Sequence, residues 1–382
     1  MATLYGYADP AEQAAMVLDR VRVDAYARAI AATVRPGDVV LDLGTGTGLL
    51  AMLAARAGAR RVFAVERTGA IALARELITA NQLGDVVELI RADVTELDAL
   101  PEPPRVIVSE TLGHFAPAEQ LHRLFRHARR LARADAVVIP AAYRLVFAAA
   151  RPRGLAADVD ALRVCHGLTL AALAARLLAR VGYARLTAAE LVGPETTGAA
   201  IAVDAPLPAV LTGTAPVAVA GPVTAIAVSF VATLAAGVEL SSAIGATATH
   251  WVQAVFPIEP PLEVAAGAVL EVELVPRLAF ASNSWAWTVR AGAEVRRGDA
   301  VDALVGEQAD LLAQLGRRRP GPIPAPPPLR AWAAALGATP PELLDVEELT
   351  DRLCAAMPVV FADRDQARQE VLALVQALDR AG

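Results

Sequence analysis

Residues 38 to 66 read as a buried strand, a glycine-rich loop, an apolar helix and a second strand ending in a carboxylate. The stretch is Asp38-Val-Val-Leu-Asp42-Leu-Gly44-Thr-Gly46-Thr-Gly48-Leu49-Leu, followed by the helix and then Arg61-Val-Phe-Ala-Val-Glu66. A dinucleotide-binding unit spaces its glycines as G-x-G-x-x-G. Here the third glycine comes one position early, and Leu49 holds the dinucleotide position. A loop this rich in glycine lets backbone approach a small ligand closely, because no Cβ intervenes. Asp42 beside the loop suits an ammonium group rather than a phosphate. Glu66, at the end of the second strand, is placed to accept hydrogen bonds from ribose hydroxyls. An NAD-binding unit, or a unit with no ligand, is the alternative.

Around this unit, strand and helix alternate from 38 to about 140, with strands at Val39 to Leu43, Arg61 to Val65, Val86 to Ile90, Val106 to Ser109 and Val137 to Ile139. Alternation of this kind predicts a parallel sheet with right-handed crossovers. Residues 11 to 33 have the apolar spacing of one helix, with Met16, Val17, Val21 and Ala25 on a common side. After Pro140 the pattern changes. Residues 155 to 192 are mostly helical in period, and 197 to 298 carry short β runs separated by Pro and Gly, as in an antiparallel barrel or sandwich. The pattern divides the chain into a Rossmann-like α/β domain over 1 to 140 and a β-barrel or sandwich domain with a helical insertion over 141 to 300. A helix end and a Pro-rich linker follow over 301 to 328, then a small helical domain over 329 to 382.

The chain has 382 residues and a net charge of -6, which argues against a nucleic-acid binder. All its basic residues are Arg, as expected from a GC-rich genome. No run of about 18 apolar residues suggests a membrane span, and the N-terminus lacks the pattern of a signal peptide. Cys165 and Cys354 lie far apart and form no metal-ligand cluster. A cytoplasmic location is the expectation, with no metal. Arg123, Arg126, Arg130 and Arg133 recur on one side of a helix and read as a solvated face.

The strand ending at Ser109 runs into Glu110-Thr-Leu-Gly113-His114-Phe-Ala-Pro-Ala-Glu119. A carboxylate just beyond a strand's carboxyl end sits where doubly wound sheets bind ligands. Two carboxylates on one loop can grip a planar guanidinium through paired N–H donors. At this point the chain resembles the protein arginine methyltransferases, within the class I S-adenosyl-L-methionine-dependent methyltransferases, as a divergent bacterial-type member. That family carries two Glu residues on such a hairpin at this spacing. Met16-Val-Leu-Asp19-Arg-Val-Arg22-Val-Asp-Ala-Tyr26 is similar to its first helix, Ala57 to Val62 to the stretch before its second strand, and Thr249-His250-Trp251-Val-Gln253 to its Thr-His-Trp loop. The resemblance spans roughly residues 5 to 300.

The resemblance implies roles. S-adenosyl-L-methionine would be held by the Gly44, Gly46 and Gly48 loop with Asp42, by Glu66 at the ribose, by Arg22 at the carboxylate and by Met16. Tyr7 would close over the cofactor, and Asp93, Val94 and Thr95 would lie near adenine, with the adenine contact left between Asp93 and Thr95. Glu110 and Glu119 would bind the substrate guanidinium, and His250 would pair with Asp19. The substrate would be an arginine in a protein or peptide. A small guanidino, amino or hydroxyl metabolite is the alternative, and a cofactor-binding scaffold is a further one. The chain departs from the family at Thr111-Leu112-Gly113-His114, where Trp-Met-Gly-Tyr is usual. Leu162, Leu168, Leu170 and Leu173 stand where the family carries a dimerisation arm. They either form a homodimer interface or pack on their own domain.

Overall fold

A computed structural model describes residues 9–117, 121–276 and 285–300. Tyr7, Glu119, the Pro-rich stretch and the expected helical domain over 329 to 382 lie outside the described residues.

The helix expected over 11 to 33 is two helices, α1 (Pro10–Leu18) and α2 (Arg20–Thr33). The break falls at Asp19, whose ψ of 87° leaves the helical region and whose carboxylate accepts the Arg22 N–H at 3.1 Å. A capping carboxylate satisfies a donor that the first turn would otherwise leave unpaired. Periodicity misses this break because the apolar spacing runs through it.

The first sheet contains β1 (Val39–Leu43), β2 (Arg61–Glu66), β3 (Val87–Arg91), β4 (Val106–Ser109) and β5 (Val137–Ile139), with helices α3 (Leu49–Arg56), α4 (Ala70–Ala80) and α5 (Leu121–Leu131) between strands. Strand order is β3-β2-β1-β4-β5, and every pair is parallel. The chain order reverses on either side of β1, so a crevice opens at the carboxyl ends of β1 and β4. β1 is buried at every position. On α5, Arg123, Arg126 and Arg130 are exposed, and Arg133 is exposed just beyond it, as a solvated face requires.

The rest of the described chain is antiparallel. It runs through β6 (Ala142–Ala150), α6 (Arg153–Arg163), α7 (Ala171–Leu178), β7 (Gly182–Ala184), β8 (Thr196–Ala202), β9 (Leu211–Pro216), β10 (Gly221–Ala235), β11 (Val238–Ser241), β12 (Gln253–Val264), β13 (Val269–Pro276), β14 (Trp285–Ala291) and β15 (Glu294–Asp299). One sheet is ordered β7-β12-β10-β6-β8, with β11 added on β10; the other is β15-β14-β13-β9. β6 escapes sequence reading because its last residues are an alanine run, which has little strand preference. β7 lies in a stretch read as helical; pairing with β12 overrides the local period there.

The sheets pack through Phe147, which seats against Gly198 and Gly213. Trp285 and Trp287 both point into this core. Phe115, from the loop after β4, packs edge-on against Phe256 at 5.6 Å and Trp285 at 4.9 Å, so the antiparallel core fixes that loop. On the α6–α7 hairpin, Leu168, Leu173 and Leu170 are 67%, 52% and 36% exposed, while Leu162 is partly buried. Among the described residues no helix is long and apolar enough to cross a membrane.

A Cβ at position 213 would lie 2.3 Å from the Phe147 ring. Gly213→Ala should therefore lower the urea midpoint by an amount equivalent to about 1–3 kcal/mol. An unchanged midpoint would show that the two sheets do not pack as described.

Candidate active site

The crevice beyond β1 is built by backbone conformation first. Gly44, Gly46 and Gly48 have φ of 65°, 55° and 78°, in the left-handed region that side chains rarely adopt. Gly46 has a second constraint, since a Cβ there would lie 2.8 Å from Gln13 Oε1 of α1. The loop is tied to β2 by Glu66, which accepts the Gly46 N–H at 3.0 Å and the Thr68 N–H at 2.8 Å through different oxygens. Beneath the loop Asp42 is fully buried. One of its oxygens accepts the Thr45 hydroxyl and the other has no protein partner. Burial, with the Glu66 charge adding to it, pushes the Asp42 carboxyl up to about 7 against the opposing Thr45 bond.

A second wall comes from the break between α1 and α2. Arg22 is buried; its Nη1 donates to Glu110 Oε2 and its Nη2 to the Met16 carbonyl at 2.6 Å. Its Nε has no protein partner. The other Glu110 oxygen accepts the Leu112 N–H at 3.3 Å. β4 itself is pinned by the Tyr26 hydroxyl donating to the Ser109 carbonyl at 3.0 Å and the Ser109 hydroxyl donating to the Leu43 carbonyl at 2.7 Å. Thus the residue before Glu110 is bonded to both α2 and β1.

The third wall is the Thr249-His250-Trp251 loop before β12. Asp19 Oδ2 accepts both the His250 backbone N–H and the His250 ring Nδ1 at 2.8 Å. Burial pushes the Asp19 carboxyl up, but the His250 and Arg22 hydrogen bonds outweigh it and hold the group below its ordinary value. Trp251 Nε1 donates to the Leu112 carbonyl at 2.9 Å, joining this loop to the one carrying Glu110. Arg185, just after β7, donates to the carbonyls of Thr249 and Trp251.

Beside the crevice, Asp93 Oδ1 accepts the Thr95 N–H and the Thr95 hydroxyl, both at 2.8 Å, and caps a single turn over Val94–Glu96 after β3. Asp93, Val94 and Thr95 are thereby brought together at the strand end adjoining Glu66.

Comparison with known proteins fits this geometry. A family model described as a methyltransferase domain matches residues 40–135. Protein arginine N-methyltransferase PRMT10 of Oryza sativa subsp. japonica is 42% identical over 142 residues, 36% of this chain and 37% of that protein. The arginine N(omega)-methyltransferase of Streptomyces achromogenes subsp. streptozoticus is 33% identical over 279 residues, 68% of this chain and 74% of that protein. The chain belongs to the arginine methyltransferase family. Two solved structures share the fold. The Trypanosoma brucei PRMT1 enzyme-prozyme complex with AdoHcy has a TM-score of 0.70 at 22% identity, covering 77% of this chain and 99% of that one. Arabidopsis thaliana PRMT10 has a TM-score of 0.63 at 24% identity, covering 78% and 100%. The match to the rice PRMT10 spans little more than a third of that relative's length.

For a chain of the arginine methyltransferase family, most residues singled out from sequence do converge. Asp19, Arg22, Glu110 and His250 meet, and the glycine loop, Asp42 and Glu66 adjoin them. One arrangement differs from the expectation of separate roles for Arg22 and Glu110: the two form an ion pair. Opposite charges this buried are costly to leave alone, so they neutralise each other. Sequence reading missed Gln13 against the loop and Arg185 behind the Thr-His-Trp turn. Gln13 left a faint signal, as a polar residue on an alanine-rich helix that is nevertheless buried.

The raised Asp42 carboxyl has a testable sign. Its folded value lies above its unfolded value near 3.8, so the folded state holds the proton more tightly, and stability falls as pH rises from about 4 to about 7. Asp42→Asn removes this dependence. Its stability relative to the parent should rise between pH 5 and pH 8, by at most about 3 kcal/mol. Parallel denaturation midpoints at the two pH values would contradict it.

Proposed function

We propose that this protein is an S-adenosyl-L-methionine-dependent methyltransferase that methylates an arginine guanidinium nitrogen in a protein or peptide. The observation that carries the reading is the Arg22–Glu110 pair, a guanidinium already held by the carboxylate assigned to the substrate. It stands beside a glycine cradle whose neighbouring charged groups keep unpartnered atoms.

The residues fit the cofactor. Gly46 holds a left-handed φ of 55° that favours glycine, and Arg22 Nε and Asp42 Oδ1 are buried polar atoms with nothing of the protein to bond. Arg22 would hold the cofactor carboxylate and Asp42 would face its ammonium group. Glu66 keeps lone pairs for the ribose hydroxyls after accepting two backbone N–H groups. Asp93 to Thr95 would border adenine. The cofactor supplies a methyl group activated by its sulfonium.

The protein's own task is alignment and charge placement. Glu110, with Glu119 added from its sequence spacing, grips the substrate guanidinium and orients one nitrogen. Such alignment supplies up to roughly 7–11 kcal/mol when geometry is right. A guanidinium is fully protonated at neutral pH, so carboxylates that localise its charge away from the attacking nitrogen also raise that nitrogen's reactivity. The methylated product carries one proton too many. Asp19, ionised at neutral pH, accepts only, so His250 donates from Nδ1, which leaves Nε2 as the ring atom that would take that proton.

A second reading is free arginine or another small guanidino compound. It is supported by the Streptomyces relative, whose name specifies arginine without specifying a protein. We further assign a homodimer through the exposed leucines of the α6–α7 hairpin, a barrel formed by the two antiparallel sheets, and a cytoplasmic setting, in which the free thiol of Cys165 persists.

Labelled cofactor offered with arginine-containing peptides and with free arginine tests both readings. Glu110→Gln and Glu119→Gln should each cut turnover by about 10²–10³-fold while cofactor affinity holds. The double variant should fall little further, because both groups act on one guanidinium. Near-normal turnover in Glu110→Gln would remove the guanidinium from the account.

A further inference from the structure

The loop after β4 departs from its family's sequence at His114, and this histidine has a built environment. Gly113 and Ala116 exchange backbone hydrogen bonds in a tight turn, with Ala116 at φ 71°, and the turn presents the His114 ring to the Thr-His-Trp loop. His114 Nδ1 lies 3.2 Å from the Val252 backbone N–H, which donates to it. The opposite contact is with Tyr183 of β7, whose ring lies 4.7 Å away at a 38° tilt. Two parallel ties therefore join the loop carrying Glu110 to the loop carrying His250. Trp251 Nε1 donates to Leu112, and Val252 donates to His114; both donors sit directly after His250 and both acceptors within four residues of Glu110.

We propose that His114 is a positioning residue which, by accepting the Val252 N–H at Nδ1, holds the Glu110 loop and the His250 loop at one spacing. The inference deepens the arginine methyltransferase reading and rests on it for its kinetic part. An N–H facing Nδ1 requires that nitrogen to be unprotonated, so the ring must be neutral with its proton on Nε2.

Protonation of His114 would place two donors face to face and break this tie. The charged and titratable groups around it are His250 and its partner Asp19, Glu110 on its own loop with Arg22 of α2, and Tyr183 and Arg185 from β7 and the residue after it. Burial, and then the nearby His250, push the His114 imidazole below its ordinary value, so the tie persists through neutral pH.

The experiment uses the full chain and two variants. His114→Phe keeps a ring against Tyr183 and loses the acceptor; His114→Asn sets an amide oxygen close to the position of Nδ1. Thermal melts and cofactor titration establish that both variants fold and bind. His114→Phe should lower kcat for arginine methylation by about three- to tenfold, the range of one neutral hydrogen bond, with cofactor affinity within about twofold. His114→Asn should recover most of the loss and should lack the acid-side fall that His114 titration gives the parent. Independently of catalysis, hydrogen exchange of the Trp251 indole N–H should quicken in His114→Phe and return towards the parent rate in His114→Asn. Equal kcat in parent and His114→Phe, or unchanged indole exchange, would overturn the proposal. Absence of methyl transfer by the parent enzyme would instead overturn the arginine reading, and the exchange rates would still decide whether His114 holds the two loops.

Discussion

One carboxylate joins the parts of this molecule that chemistry requires to meet. Asp19 ends α1, caps α2, and accepts two hydrogen bonds from His250, which lies 231 residues further along the chain. Capping alone needs one oxygen. The other is free to bind the loop before β12, so a local helix signal becomes the junction between the parallel sheet's leading helices and the antiparallel sheets. The acceptor count explains why Asp is suited here. An amide would satisfy the cap, but with a single acceptor oxygen it could not also take both donors of His250.

Around that junction the site is an exercise in paired charge. Arg22 and Glu110 neutralise each other, Asp19 faces His250, and Asp42 answers burial by holding a proton more tightly than usual. Each of these groups would be expensive as a lone ion at this depth. A ligand bearing both an ammonium and a carboxylate meets complementary groups here, with a buried nitrogen and a buried oxygen still unbonded. Glu110 already holds one guanidinium, that of Arg22. The rigidity needed to align the two comes from the core: Phe115 is wedged against Phe256 and Trp285, and Ser109 is bonded to both α2 and β1.

Much of this was legible in the sequence because it lies in short stretches with strong local signals. The five parallel strands were found to within a residue or so, since each is an apolar run bounded by Gly, Pro or a charged turn. The glycine spacing and Glu66 fixed the crevice. The Asp19–His250 pairing was legible only through a resemblance, because no local rule links positions so far apart. What escaped was structure decided by partners. β6 and β7 are strands because β10 and β12 lie beside them, and their own residues say little. The helix break at Asp19 was hidden by continuous apolar spacing, although Asp is a preferred cap. The Arg22–Glu110 pair leaves no local signal, because the two residues lie 88 positions apart and each also suits a charged ligand.

The central claim is that Asp19 and His250 act as one unit in transferring a methyl group to arginine. A double-mutant cycle on turnover tests it most directly, with Asp19→Asn, His250→Gln and the pair measured on the same arginine substrate. The account predicts that each single variant loses about 10²-fold or more, and that the double variant is no slower than the poorer single by more than a small factor. Losses that multiply would show that the two residues act independently, and near-parent turnover in either single variant would show that the junction does not serve the reaction.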